Sequence, residues 1–453
     1  MKVLLVFPYF HPAGDRSIFR FPPLGLGYLA AWLRQKGHDV DILDCTFLDR
    51  KIALEKARRS ASQVVGIYCA FPLQEDCLQF ARSLRDKCDL LIAGGPLPSG
   101  DPLPFAGDFD VVVKGEGEHT VEEVVAAYEG KRSLESVRGI AYRRPGENAA
   151  NGMMVTPSRE MEPVLDSLPF PARDLLPNEE YQYYGRKRYG KATTSVLTTR
   201  GCPFSCEFCS NAVFGNSFRE RSAANIVDEV ESVLRLGYDR IHFADDVFTL
   251  RKARVLEVCE EIRARKLRFT WECLCRVDLI DTEMASAMKA AGCDRIFFGI
   301  ESASPGVLKI IKKNFTVERA QQAVVTAKRA GLRTGAFFIL CYPGDNDDSV
   351  LETIRFSTAL PLDYLSFTLP YPLPGTALYE RVKDRLKTSY KAHGNIVTEH
   401  FLTFDGDFSE TKMRFAILKG KLQFALRKRL DGKGESLVHG IERATDRMFR
   451  MMK

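Results

Sequence analysis

Three cysteines carry the first chemistry legible in this chain. Cys202, Cys206 and Cys209 stand in Cys-x3-Cys-x2-Cys spacing within Thr198-Thr-Arg-Gly-Cys-Pro-Phe-Ser-Cys-Glu-Phe-Cys-Ser210, after an apolar run, 194–198, that reads as a buried strand. Three thiolates this close can each bind one iron of a four-iron, four-sulfur cluster, whose cube needs four ligands. The fourth iron is then open to a small chelating molecule. A structural zinc site is the first alternative. Zinc closes four ligands, usually as paired cysteines or with histidines, and no second pair follows within thirty residues. A disulfide knot is disfavoured in a long chain without a secretory signal. Free buried thiols are the third reading.

The chain that must position this loop has 453 residues, enough for two to four domains with ample cores. Its 45% hydrophobic and 27% charged content is that of a soluble globular enzyme. The opening Met-Lys-Val-Leu-Leu-Val-Phe-Pro is too short for a signal sequence, and no run of eighteen apolar residues occurs, so no membrane span is expected. Twelve cysteines then imply a reducing cytoplasm. The net charge of +6 is modest, and the basic run Lys419, Lys421, Arg427, Lys428 and Arg429 reads as a solvated helix face rather than a nucleic-acid site.

Residues 1–140 alternate strand and helix patterns. Strands are expected at 3–7, 39–43, 64–68, 90–93 and 111–113, with a helix over 24–36 that stops at Gly37. Regular βαβ alternation predicts a Rossmann-like, doubly wound parallel sheet, with ligands at the carboxyl ends of its strands. Those ends are 8–14, 70–75, Gly94-Gly95-Pro96-Leu97 and Gly115-Glu116-Gly117. Thr120 followed by Glu123 reads as a capping box opening the next helix. Residues 141–191 are punctuated by Pro157, Pro163, Pro169, Pro171 and Pro177 and read as an extended linker, followed in its last part by the aromatic cluster Tyr181, Tyr183, Tyr184 and Tyr189. Over 192–382 a second series follows, with strands at 194–198, 240–244, 268–274, 295–300, 334–340 and 364–369. Its helices lie at 223–236, 252–264, 282–291, 317–330 and 349–358. Gly237, Gly292 and Gly331 stand where helices stop. Six strand–helix units fit a partial, open TIM-type barrel, whose chemistry collects at the carboxyl ends of the strands. Residues 383–453 form a small C-terminal extension, with an aromatic and acidic stretch over 401–408 and helical spacing over 413–430.

The cysteine segment, with Phe208 before its last cysteine, resembles the cluster-binding loop of the radical S-adenosylmethionine (SAM) enzymes. With Phe21-Pro-Pro-Leu-Gly-Leu-Gly27, Gly94-Gly95-Pro96 and Gly115-Glu116-Gly117-Glu118 upstream, the chain resembles the cobalamin-dependent radical SAM methyltransferases over about 380 residues. The resemblance implies a 4Fe–4S cluster on Cys202, Cys206 and Cys209, with SAM on the open iron, and cobalamin at Gly94, Gly95, Pro96, Leu97, Gly115, Glu116 and Gly117. It implies SAM or substrate contacts at Asp245 and Asp246, the SAM carboxylate at Arg276, and ribose at Glu301 and Ser302. The turns 341–344 and 371–376 are further candidates for adenine or substrate. No Asp-x-His-x-x-Gly occurs, and Leu97 stands where relatives often have histidine. Cobalamin is therefore expected base-off, with no protein histidine on cobalt; His11 and His38 read as surface or loop residues. The implied activity is C-methylation of an unactivated carbon through a 5′-deoxyadenosyl radical and methylcobalamin, with electrons from a flavodoxin- or ferredoxin-type donor. A cobalamin-dependent rearrangement, cyclisation or oxidation is the alternative, and a non-catalytic cluster- or cobalamin-binding sensor the second. Substrates range from small molecules to peptide or protein side chains, with a glutamine of methyl-coenzyme M reductase as one specific expectation.

Overall fold

The structure is a computed structural model that describes residues 1–10, 20–143, 154–387, 403–430 and 435–452. His11, most of the first strand end, part of the 141–191 linker and the start of the 401–408 stretch lie outside the described residues. The chain forms two compact units. Among the described residues, the first holds 1–203 and 210–240, and the second holds 204–209, 241–387 and 403–452.

The first unit begins with β1 (Lys2–Phe7), α1 (Leu24–Gln35), β2 (Asp39–Asp44), α2 (Arg50–Arg59), β3 (Val64–Tyr68), α3 (Gln74–Leu84), β4 (Leu90–Gly94), the short α4 (Pro96–Gly100), β5 (Val111–Val113) and α5 (Glu118–Tyr128). Strands β6 (Ile140–Tyr142) and β7 (Met154–Val155) complete a seven-stranded sheet of order β2-β1-β3-β4-β5-β6-β7. The first five strands pair in parallel, as alternation with helices requires. Both faces of this sheet are buried. Leu4, Val6, Val65, Ile67, Leu91 and Ala93 pack on one side, and Val3, Leu5, Val64, Ile92, Val111 and Val113 on the other. Such strands are apolar on both faces, and alternate residues point to opposite sides.

Three local expectations change. β6 and β7 add antiparallel to β5, with β7 at the edge, and β6 runs across the expected boundary at 140. The proline-punctuated stretch contains a twelve-residue helix, α6 (Asn178–Tyr189). It follows Pro177, carries Glu179 and Glu180 in its first turn and Arg186, Lys187 and Arg188 in its last, and stops at left-handed Gly190. That charge order complements the helix dipole. Thr120 is not a cap: α5 starts at Glu118, and the Thr120 hydroxyl donates to the Glu116 carbonyl.

The first unit also carries β8 (Thr193–Val196), β9 (Thr199–Arg200), β10 (Arg219–Glu220) and α7 (Ala223–Arg235); β9 and β10 form a two-stranded antiparallel ribbon. The remaining elements are β11 (Arg240–Phe243), α8 (Lys252–Ala264), β12 (Thr270–Cys275), α9 (Thr282–Ala290), β13 (Cys293–Glu301), α10 (Pro305–Ile310), α11 (Val317–Arg329), β14 (Arg333–Ile339), α12 (Asp347–Ala359), β15 (Tyr364–Thr368), α13 (Ala377–Val382), α14 (Glu410–Leu430) and α15 (Glu435–Met451). In the second unit the strands follow the order β15-β14-β13-β12-β11, and β12 to β15 pair in parallel register. This is the expected open, partial-barrel series. Gly237, Gly292 and Gly331 adopt φ of 93°, 91° and 79°, the left-handed backbone that ends a helix. Stacked Phe243 and Phe248 against Trp271 fill the second unit's core beside β12. In the extension α14 lies so close to β15 that a Cβ on Gly420 would fall 2.5 Å from the Phe367 ring.

Candidate functional site

The cysteine loop is the natural starting point, and its parts are held by different means. In the first unit Gly201 adopts φ +84°, where a Cβ would collide with the Ser217 carbonyl, and the Cys202 amide donates to Gly215 O at 3.4 Å. Just before it, Arg200 lies buried between two carboxylates, with Nη1 3.0 Å from Glu116 and Nη2 2.5 Å from Glu118. Arg219, across the β9–β10 ribbon, places Nη1 2.9 Å from both Glu116 oxygens. The Glu162 amide donates to the same carboxylate at 2.9 Å. Burial opposes ionisation of Glu116, but the Arg219 hydrogen bond and the Arg200 charge outweigh it and hold its carboxyl below the usual range.

In the second unit Glu207, between Cys206 and Cys209, pins the rest of the loop. Its amide donates to Ile311 O at 3.3 Å and its carbonyl accepts from Leu378 N at 3.0 Å. Its buried carboxylate pairs with Arg381 at 2.7 Å and accepts from the Tyr342 hydroxyl at 3.3 Å. Two cations stand beside the same segment. The Arg276 guanidinium lies 3.7 Å over the Phe204 ring, with Nη1 4.0 Å from Cys206 Sγ. Lys313 Nζ lies 5.6 Å from the Phe208 ring centre, 3.1 Å from Glu301 and 3.1 Å from Gly299 O. The Lys313 carbonyl in turn accepts from Arg276 Nη2 at 2.8 Å. Backbone strain gathers here: Glu301, Lys312, Asn314 and Cys341 have φ of 71°, 60°, 52° and 60°. Non-glycine residues hold that conformation only when their surroundings impose it, and such residues cluster at functional sites.

The donor set fits an iron–sulfur cluster. Cys202 and Cys206 are half-buried and Cys209 is exposed, whereas eight of the remaining cysteines are buried. Burial pushes the Cys45, Cys77, Cys259, Cys273, Cys275 and Cys341 thiols up, which disfavours the thiolate that binds metal. Cys88 is also half-buried but stands alone in the sequence, so the triad is the accessible group of cysteines, and the cations beside Cys206 and Phe208 suit an anionic cluster.

The other expected contacts separate into open and occupied groups. Asp245 is fully buried, 3.8 Å from Arg254. Asp246 at the same strand end reaches water, and desolvation by the surrounding protein, reinforced by the Asp245 charge, raises its carboxyl. The Arg276 fork is already held by Asp278 at 3.0 and 3.1 Å, so only its Nη1 edge faces the cysteine loop. Ser302 is 1% exposed, and its hydroxyl meets Thr353 and the amide of Ser304, the residue that caps α10. In the first unit Gly95 adopts φ +116°, with its Cβ position 2.6 Å from Cys69 O, so the backbone turns there only as glycine. Ser99 joins the two glycine loops by donating to Gly95 O at 2.7 Å and accepting from Gly115 N at 3.0 Å. Pro96 opens α4, Leu97 is buried, and Gly117 precedes α5. Glu116 turns its carboxylate to Arg200 and Arg219, beside the start of the cysteine loop. Glu207, Lys313, Arg200 and Arg219 were not singled out by sequence. Of these, Glu207 and Arg200 carried a signal, as charged residues within or directly beside the cysteine motif.

Comparison with known proteins agrees with these two halves. Residues 13–125 match the B12 binding domain and residues 196–357 the Radical SAM superfamily. An uncharacterized methyltransferase of Pyrococcus horikoshii is 35% identical over 394 residues, covering 84% of this chain and 83% of the relative. An anaerobic magnesium-protoporphyrin IX monomethyl ester cyclase of Rubrivivax gelatinosus is 28% identical, covering 88% of this chain and 73% of the cyclase. The radical SAM methyltransferase TsrM of Kitasatospora setae, solved with cobalamin and a [4Fe-4S] cluster, matches in fold with a TM-score of 0.71. It is 22% identical, over 84% of this chain and 78% of that one. With both domains matched in order and a methyltransferase relative along most of its length, the chain belongs to the cobalamin-dependent radical SAM methyltransferases.

Proposed function

We propose that this enzyme methylates an unactivated sp3 carbon. The observation that carries the reading is the accessible Cys206–Cys209 segment beside Arg276 and Lys313, in a chain whose residues 13–125 match a B12 binding domain. Cys202, Cys206 and Cys209 would hold the cluster. The Nη1 edge of Arg276 and the Lys313 ammonium suit the carboxylate of SAM. The loops at Gly94, Gly95, Pro96, Leu97, Gly115 and Gly117 would hold cobalamin, base-off, with no protein histidine. Bound together, these groups supply hydrogen abstraction from carbon and a methyl donor, while the protein orients them and excludes water. Electrons come from a flavodoxin- or ferredoxin-type donor in the cytoplasm. The substrate to test first is a protein side-chain carbon, such as a glutamine of methyl-coenzyme M reductase.

The relative from Rubrivivax gelatinosus favours a second reading, cyclisation without methyl transfer. Anaerobic turnover with methyl-labelled SAM and a glutamine-containing peptide of that reductase separates the two. Methylation yields 5′-deoxyadenosine and S-adenosylhomocysteine together, with the label in the peptide. Formation of 5′-deoxyadenosine without S-adenosylhomocysteine, on any substrate that turns over, would replace it by the second reading.

A further inference from the structure

The basic run near the carboxyl terminus does not form the uniformly solvated face its sequence suggests. Lys419 is buried on Asp446 and Thr445, at 2.8 and 3.1 Å. Arg427 and Lys428 instead enter the wall of a cavity of about 340 Å³ in the second unit, at the segment that leads into β15. Chemistry in βα barrels sits at the opposite, carboxyl ends of the strands, so this cavity is distinct from the cysteine site. Its apolar lining includes Leu362, Phe424 and Val438. Two ammonium groups from different helices converge on one residue: Lys328 Nζ lies 2.7 Å from the Asp363 carboxylate and Lys428 Nζ 2.9 Å from its carbonyl oxygen. Arg427 places Nη2 2.9 Å from Glu442, and among the described residues its buried Nε meets no hydrogen-bond partner. His439 also borders the cavity.

We propose that this cavity binds a small amphiphilic anion, a phosphate or carboxylate head on a short alkyl body. The volume lies at the lower end of small-ligand pockets, which combine apolar walls with a few placed polar groups. Lys428 and the charge of the Arg427 guanidinium, both in the wall, suit the head, because charge-assisted hydrogen bonds to an oxyanion are the strongest available here. Phe424, Leu362 and Val438 suit the body. With Lys328 paired to Asp363 and Arg427 to Glu442, Lys428 leaves the wall with a net positive charge.

Calorimetric titration of the holoprotein with hexyl phosphate, hexanoate, inorganic phosphate and hexanol tests this. Hexyl phosphate or hexanoate should bind at least tenfold more tightly than phosphate or hexanol, and their ratio identifies the preferred head. Lys428→Glu and Phe424→Ser should each weaken that binding at least tenfold with iron content unchanged, and Lys428→Glu, at an exposed position, should also leave the melting temperature unchanged. Absence of binding by both alkyl anions, or affinity unaltered in both variants, would overturn the site. Equal affinity for phosphate and hexyl phosphate would reduce it to surface ion pairing.

Discussion

Replacing Glu116 by alanine should loosen the fold and the cluster loop together. Glu116 is the shared acceptor of Arg200, Arg219 and the Glu162 amide, and its side chain and that of Arg200 are under a tenth exposed. Removing one partner of a buried ion pair costs about 3–5 kcal/mol, because a charge is left uncompensated. Arg200 keeps Glu118 at 2.5 Å, so the loss falls mainly on Arg219, at the low end of that range. The Glu162 amide adds about 1 kcal/mol. A total of about 4 kcal/mol corresponds to roughly 10 °C in the melting transition of a unit this large. Anaerobic calorimetry with iron analysis should show that drop and incomplete cluster loading. Adding Arg219→Met removes the stranded charge and should restore at least about 2 kcal/mol. Because the Glu116 carboxyl lies below its ordinary value, its contribution is present above the unfolded pKa of about 4.3 and is lost as pH falls through the folded one. Glu116→Gln should flatten that acid limb. A melting point within about 2 °C of the parent, or additive effects in the double variant, would refute the anchoring role.

Gly95→Ala should destabilise the first unit by roughly 2 kcal/mol or more and lower its cobalt content, because φ is +116° and the new Cβ meets Cys69 O; thermal melts and cobalt analysis check both. Lys313→Met should raise the SAM KM at least tenfold with iron content unchanged, and Lys313→Arg should recover part of it; an unaltered KM would remove Lys313 from the SAM site. Asp345, behind the 341–344 turn, has its carboxyl raised to about 6, chiefly by burial, with the Ser349 and Tyr342 hydrogen bonds opposing. The folded state favours its neutral form, so stability should fall as pH rises from about 4 to about 6, by about 3 kcal/mol. Asp345→Asn should abolish that slope and be the more stable protein at pH 7, as melts across the range will show.

The parallel strands were legible because each is a short apolar run between glycine and polar turns, so 64–68 and 111–113 coincide with β3 and β5. The helix stops at Gly237, Gly292 and Gly331 were legible because a left-handed backbone selects glycine. Helix α6 was hidden by the prolines around it, although its order of acidic then basic residues announces a helix. Short α10 and α13 carry too few turns to show a period, and β7, two exposed residues, carries no apolar pattern. At the site, types and spacing reveal ligands but not which charges face one another across the fold. That the Glu116 carboxylate meets arginines 84 and 103 residues away is therefore not legible in its motif. The buried hydroxyl of Ser302 and the Asp278-held fork of Arg276 are likewise tertiary facts.

Metal analysis with SAM cleavage on one anaerobic preparation from cobalamin-fed cells tests the central claim most directly. The account predicts about four irons and about one cobalt per chain, with reductive formation of 5′-deoxyadenosine. In Cys202→Ala iron and cleavage should be lost while cobalt is retained. Iron without cobalt, or cleavage that survives the loss of Cys202, would contradict it.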